Sequence, residues 1–201
     1  MTNKGGGQSG RKALKKLSQT LPTPPEIESI MQDLGKESDL AAAITGTALA
    51  EAALERLLRS KITALSATFL NELFQYRAPL GDFSGKILIA QAFEIITSTM
   101  AEEMQSLRVI RNAFAHSKIP LSFDHEVLAK EIMSLRMASA IRRQADKEQD
   151  PTQLLGASAL ARVLSNRAWF LLTISILLII IDVLEKSPLK ADAAIAAALK
   201  T

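Results

Sequence analysis

An all-α fold is what this chain predicts, and three features predict it. Apolar residues recur at three- and four-residue steps along most of its length. Aromatics make up only 4% of residues while hydrophobic residues reach 48%, and the surplus lies in Ala, Leu and Ile. Strand-rich domains draw instead on Val, Thr, Tyr, Phe and Trp. No run alternates with the period of two that a half-buried strand requires. With 201 residues the chain is long enough for one well-buried core and short for two. The expected architecture is a single helical bundle of about six helices.

Residues 1–24 read as a disordered basic arm. Residues 1–25 hold Lys4, Arg11, Lys12, Lys15 and Lys16 and no acid. The formal net charge of the whole chain is +3, so residues 26–201 carry 3 − 5 = −2. The body is mildly acidic and the basic character belongs to the arm, which limits nucleic-acid binding to a weak contribution from that arm. The arm lacks the apolar run of a secretory signal.

The body is expected to span 25–186. Pro25 suits the first turn of a short helix through Glu26, Ile27, Ile30, Met31 and Leu34, closed by Gly35. Ser38 and Asp39 can cap a long helix that carries Leu54, Leu57, Leu58, Ile62 and Leu65 and runs to about Phe74. Within it Glu55 precedes Arg59 by four residues, the favourable order for an exposed ion pair. Pro79-Leu80-Gly81-Asp82 is a turn. Asp82 or Ser84 then caps a helix with Ile87, Leu88, Ala92, Ile95 and Ile96. The next helix holds Met100, Met104, Leu107, Ile110 and Phe114 and fails before Pro120. Asp124 can cap another through Val127, Leu128, Ile132, Leu135 and Ile141. Residues 144–156 read as a loop, and the last strong helix spans about Leu160 to Lys186. In outline, helix is expected over 40–75, 84–115, 124–144 and 162–185. A loose tail, 187–201, follows; its Ala-rich end is either a frayed helix or irregular.

Ala168 to Ile181 is apolar apart from Thr173 and Ser175. At 14 residues it falls short of the roughly 20 that a membrane span needs. A short run apolar all round is usually the central helix of a bundle, so Ile174, Leu177, Leu178 and Ile181 are assigned to the core and no membrane contact is expected. Met100, Met104, Met133 and Met137 are read as core filler.

Cysteine is absent, which excludes disulfides and thiolate metal sites and fits a reducing cytoplasm. His116 and His125 are the two histidines, too few for a three-histidine zinc site. No metal and no cofactor is expected. The polar cluster that stands out is Arg111-Asn112-Ala113-Phe114-Ala115-His116. On an ideal wheel Met104, Leu107, Ile110 and Phe114 share a face, Arg111 borders it, and Arg108, Asn112 and His116 form an adjacent polar strip. An Arg at the edge of a core tends to find a carboxylate; Asp82, Asp124 and Glu126 are the candidates. A histidine in a last helical turn also interacts favourably with the helix dipole. His125, beside Asp124, reads as a solvated first-turn residue, and Lys86 has no role of its own.

Arg-Asn, three residues, then His resembles the signature of HEPN domains, helical bundles that include many ribonucleases. Three further blocks resemble the mannitol operon repressor family: Glu37-Ser38-Asp39 with Leu49 to Glu55, then Ala78 to Ile87, then Ile110 to Ser117 with Leu121-Ser122-Phe123. Together they cover about residues 36–185. The family resemblance implies a transcriptional regulator, yet nothing here reads as a helix-turn-helix with a basic recognition helix. The implied mode is therefore protein contact, with a protein partner or as a homodimer, by a cytoplasmic, non-enzymatic regulator. The HEPN resemblance implies an alternative, a metal-independent ribonuclease in which Arg111 and His116, supported by Asn112, meet those of a second subunit. In that chemistry a histidine moves the 2′-hydroxyl proton and an arginine binds the phosphate. The preferred reading is structural, with Asp82, Ser84, Arg108, Arg111, Asn112 and His116 as motif residues and none of them catalytic.

Overall fold

The computed structural model describes residues 22–137 and 165–187, with isolated helical positions at 10, 13 and 17. The expectations for most of the arm, for a helix reaching residue 144, for the loop at 144–156 and for the Ala-rich tail lie outside these residues. Among the described residues there are seven helices and no strand: α1 (Pro24–Leu34), α2 (Asp39–Lys61), α3 (Ala67–Leu73), α4 (Phe83–Ala92), α5 (Ser98–His116), α6 (Glu126–Ser134) and α7 (Asn166–Lys186).

The core forms around α2. Its most extensive partner is α7, followed by α5, α4 and α1. One side of α2 is built from small residues, Ala42, Ala43, Gly46, Thr47, Ala50 and Ala53, all buried. A Cβ on Gly46 would stand 2.8 Å from Ile174 Cδ1, so the end of the Ile174 side chain occupies the space that the glycine leaves open. Phe123 then stacks between Phe114 and Phe170, with ring centroids 4.9 and 5.0 Å apart, which joins α5, the α5–α6 loop and α7.

Ile174, Leu177, Leu178 and Ile181 are buried, as expected. The length argument is corrected, because α7 runs 21 residues and is long and apolar enough to cross a membrane. Packing places it in the core: Trp169, Phe170 and Thr173 are buried along with those four.

Several boundaries differ from expectation. The single helix over 40–75 is two, because α2 stops at Lys61 and Ser66 starts α3 by accepting from Phe69 N–H. Ile62, at ψ 78°, is where the chain leaves the helix. The two helices expected within 84–115 are α4 and α5; α4 stops at Ala92, short of the expected Ile95 and Ile96, Glu94 adopts a left-handed φ of 54°, and Thr97 caps α5. α6 ends at Ser134, and its N-cap is His125, which makes no side-chain bond to the helix. Asp124 instead accepts from Asn166 Nδ2 at 2.9 Å. Met133 is exposed, at 48%, and not core filler; Met100 and Met104 are buried and Met137 packs against the core.

Candidate functional site

The family-like blocks meet in space. Ser38 caps α2 by accepting from Ala41 N–H at 3.2 Å. That frees Asp39, which accepts from Phe123 N–H at 3.0 Å and pairs with Arg167 Nη1 at 3.4 Å. Arg167 also donates to the carbonyls of Leu34 and Glu37. One carboxylate thus links the start of α2 to the α5–α6 loop and to α7.

Lys86 is the residue that sequence reasoning missed. It is only 5% exposed, and its Nζ lies 2.7 Å from Glu51 and 3.0 Å from Glu55. Arg59 holds the other oxygen of Glu55 at 2.8 Å, donates to Asn71 at 3.0 Å and lies 4.1 Å over the Phe74 ring. The Glu55–Arg59 pair is therefore not the exposed pair expected; it belongs to a half-buried network of two acids and two bases. A buried ammonium between two carboxylates is internally compensated. The available signal was the i, i+4 spacing of Glu51 and Glu55, which puts both carboxylates on one side of α2.

The turn before α4 is equally specified. Asp82 is the N-cap, accepting from Gly85 N–H at 2.7 Å and Ser84 Oγ at 2.8 Å. These bonds, Gly85 first, hold its carboxyl below the usual range. A Cβ on Gly81 would stand 2.3 Å from the Gln75 carbonyl oxygen, and one on Gly85 2.4 Å from that of Pro79. Backbone occupies both spaces, so only glycine fits.

The Arg-Asn-His cluster is arranged differently. Arg108 Nε donates to Gln105 at 2.8 Å. Arg111 and Asn112 are half-buried and His116 is exposed. Arg111 Nε is enclosed and has no hydrogen-bond partner among the described residues. None of the expected carboxylates reaches it: Asp82 caps α4, Asp124 holds Asn166, and Glu126 pairs with Lys130 at 2.6 Å. Among the described residues, none of these three expected carboxylates pairs with Arg111. α5 stays helical through His116. Residues five apart on an ideal helix point about 140° apart, so one chain does not bring Arg111 and His116 together.

Glu103, also on α5, is buried and accepts from the N–H groups of Arg136 at 2.5 Å and Met137 at 3.4 Å. Burial pushes its carboxyl up, against the lowering effect of those two donors.

No protein-family model and no curated protein matches the chain. Among solved structures, it is similar to a chain of the X-ray structure of the MtlR-HPr complex from Escherichia coli, with a TM-score of 0.59 and 16% identity. The likeness is one of fold. It covers 96% of that chain and 77% of this one, so what lies outside the match belongs mostly to this chain. Most polar residues of the three sequence blocks are here occupied in holding the scaffold.

Proposed function

We propose that the chain is a non-enzymatic, cytoplasmic regulatory protein that acts by binding another protein. The observation that carries this reading is Arg111. Its guanidinium sits half-buried on α5 with an enclosed Nε that has no acceptor among the described residues. A planar guanidinium in that state favours a carboxylate supplied from outside. Ile119, just past the end of α5, is an exposed apolar side chain, of the kind that protein interfaces combine with arginine. The fold likeness to a chain crystallised in a complex with HPr supports a protein partner and nominates HPr as the first to try. Titration calorimetry with purified HPr should show saturable binding that Arg111→Met weakens at least tenfold. No heat of binding with HPr, and no captured partner sensitive to Arg111→Met, would remove the reading.

A second reading rests on the same unpaired arginine. In a homodimer, the Arg111 and His116 of two chains would supply a phosphate-binding cation and a proton carrier for metal-independent RNA cleavage. Incubation with structured and single-stranded RNA in EDTA separates the two. Cleavage that His116→Ala abolishes without changing the melting temperature would favour the ribonuclease.

A further inference from the structure

Glu103 faces the core from α5, beside the buried Ala101 and Met104, and is only 3% exposed. Its partners lie just past the end of α6. There Leu135, itself buried, leaves the helix with an extended backbone at ψ 119°, and Arg136 and Met137 are helical again. The first N–H groups of a helical turn have no acceptor inside it. Glu103 accepts from both of them: Oε1 takes the Arg136 N–H at 2.5 Å and Oε2 the Met137 N–H at 3.4 Å. It is an N-cap borrowed from another helix. The preceding residue, Glu102, pairs with Arg136 Nη1 at 3.1 Å. Arg136 is thus held by its backbone from Glu103 and by its side chain from Glu102.

The hold falls on an element with few others. α6 is nine residues long and buries Leu128 and Ile132. Its beginning is fixed independently, because Asp39 holds Phe123 N–H and Asp124 holds Asn166. The end of α6 can therefore loosen while its start stays in place.

We propose that Glu103 is a pH-sensitive clasp on the end of α6: its carboxyl holds the chain at Arg136 and Met137, and ionisation as pH rises loosens that hold. A buried carboxylate stays charged comfortably when two or three well-placed N–H groups solvate it. Glu103 has one short bond, and its second, at 3.4 Å, lies beyond the usual N–H···O range. Water is excluded from the closed clasp and reaches the carboxylate once the clasp opens, so the charged form favours the open arrangement. The net upward push of burial on this carboxyl agrees with that direction.

The surrounding charges leave the balance in place. On the helices packed against α5, Lys86 of α4 is closed on Glu51 and Glu55 of α2, Lys130 of α6 on Glu126, and Lys186 of α7 on Asp182. Among the described residues, Arg136 and Glu102 are the charged groups that bear on Glu103. The arginine favours its ionised form and the glutamate opposes it, and the two are paired with each other.

An amide hydrogen-bonded to a titrating carboxyl reports that titration directly. With the full chain labelled with nitrogen-15, the amides of Arg136 and Met137 should shift together along one titration with its midpoint above about pH 4.5. Their hydrogen-exchange protection, corrected for the intrinsic pH dependence of exchange, should fall severalfold across that titration. Protection of the Leu107 amide, in the middle of α5, should hold. Glu103→Gln should abolish both pH effects, and Glu102→Gln should leave the titration visible. Amides at 136 and 137 that do not titrate in the parent chain overturn the proposal, whether or not the variants fold. So does protection that falls as pH is lowered, or a profile that Glu103→Gln leaves unchanged. Arg111 takes no part in the clasp, so these results leave its binding role where it stood.

Discussion

At the scale of single residues, the polar groups divide into those with a partner among the described residues and those without one there. Lys86 belongs to the first kind. Its ammonium separates two carboxylates on α2, and removing it leaves them facing each other with little water. Lys86→Met should lower unfolding stability by about 3–5 kcal/mol, the range for breaking a buried pair from one side, read from urea unfolding. Unchanged stability would mean that water reaches the carboxylates freely. Gly81 makes a sterically harder demand. Its missing Cβ space is taken by the Gln75 carbonyl, so Gly81→Ala must shift backbone and should cost about 1–3 kcal/mol, whereas an exposed helical Gly→Ala is usually stabilising. Arg111 belongs to the second kind, and for that reason its replacement should alter binding more than folding.

At the scale of elements, the helices were legible and several of their ends were not. Apolar spacing identifies α2, α4, α5, α6 and α7 because each buries a stripe. It cannot show where a stripe is interrupted by one residue leaving helical geometry, as at Ile62 or Glu94, since neither position breaks the apolar rhythm. Ser66 and Thr97 are ordinary capping residues, but serine and threonine are too common to mark a boundary unaided. The site was legible only in part for a related reason. The sequence places Arg111 on a border; which carboxylates are already occupied elsewhere depends on contacts between distant segments. Buried α7 carries a prediction here: Leu177→Ala should cost about 2–5 kcal/mol without sending the protein to membranes. Glu103 carries another, because it ties α5 to residues 136–137. Its folded pKa lies above the unfolded value, so folding favours the protonated acid. Its contribution to stability is complete below the ordinary carboxylate pKa and is lost as pH rises through the folded value. Melting temperature against pH should therefore fall less steeply, from about pH 4.5 upward, in Glu103→Gln than in the parent. Equal slopes would mean the two backbone donors offset burial in full, and a steeper fall in Glu103→Gln would mean they outweigh it.

At the scale of the whole molecule, charge is segregated along the chain. The five bases of residues 1–25 stand against a remainder of net −2, and within the body the buried Lys86 is paired with Glu51 and Glu55. A mildly acidic body repels a polyanion at long range, so attraction to DNA or RNA has to come from the arm. A cationic segment binds by releasing counterions, which makes its affinity fall steeply with salt and nearly independent of base sequence. With at most five phosphate contacts, the slope of log affinity against log salt should not exceed about 4.5 in magnitude on duplex DNA, taking 0.9 per contact. Deleting residues 1–21 removes all five bases while leaving Thr23 to cap α1, so the body should fold as before and lose its nucleic-acid binding. Fluorescence anisotropy with a labelled duplex at two salt concentrations measures both quantities. Sequence-specific binding that survives the deletion would require a recognition surface on the helical body, and the protein-binding role proposed for α5 would then have to share the molecule with a DNA-reading one.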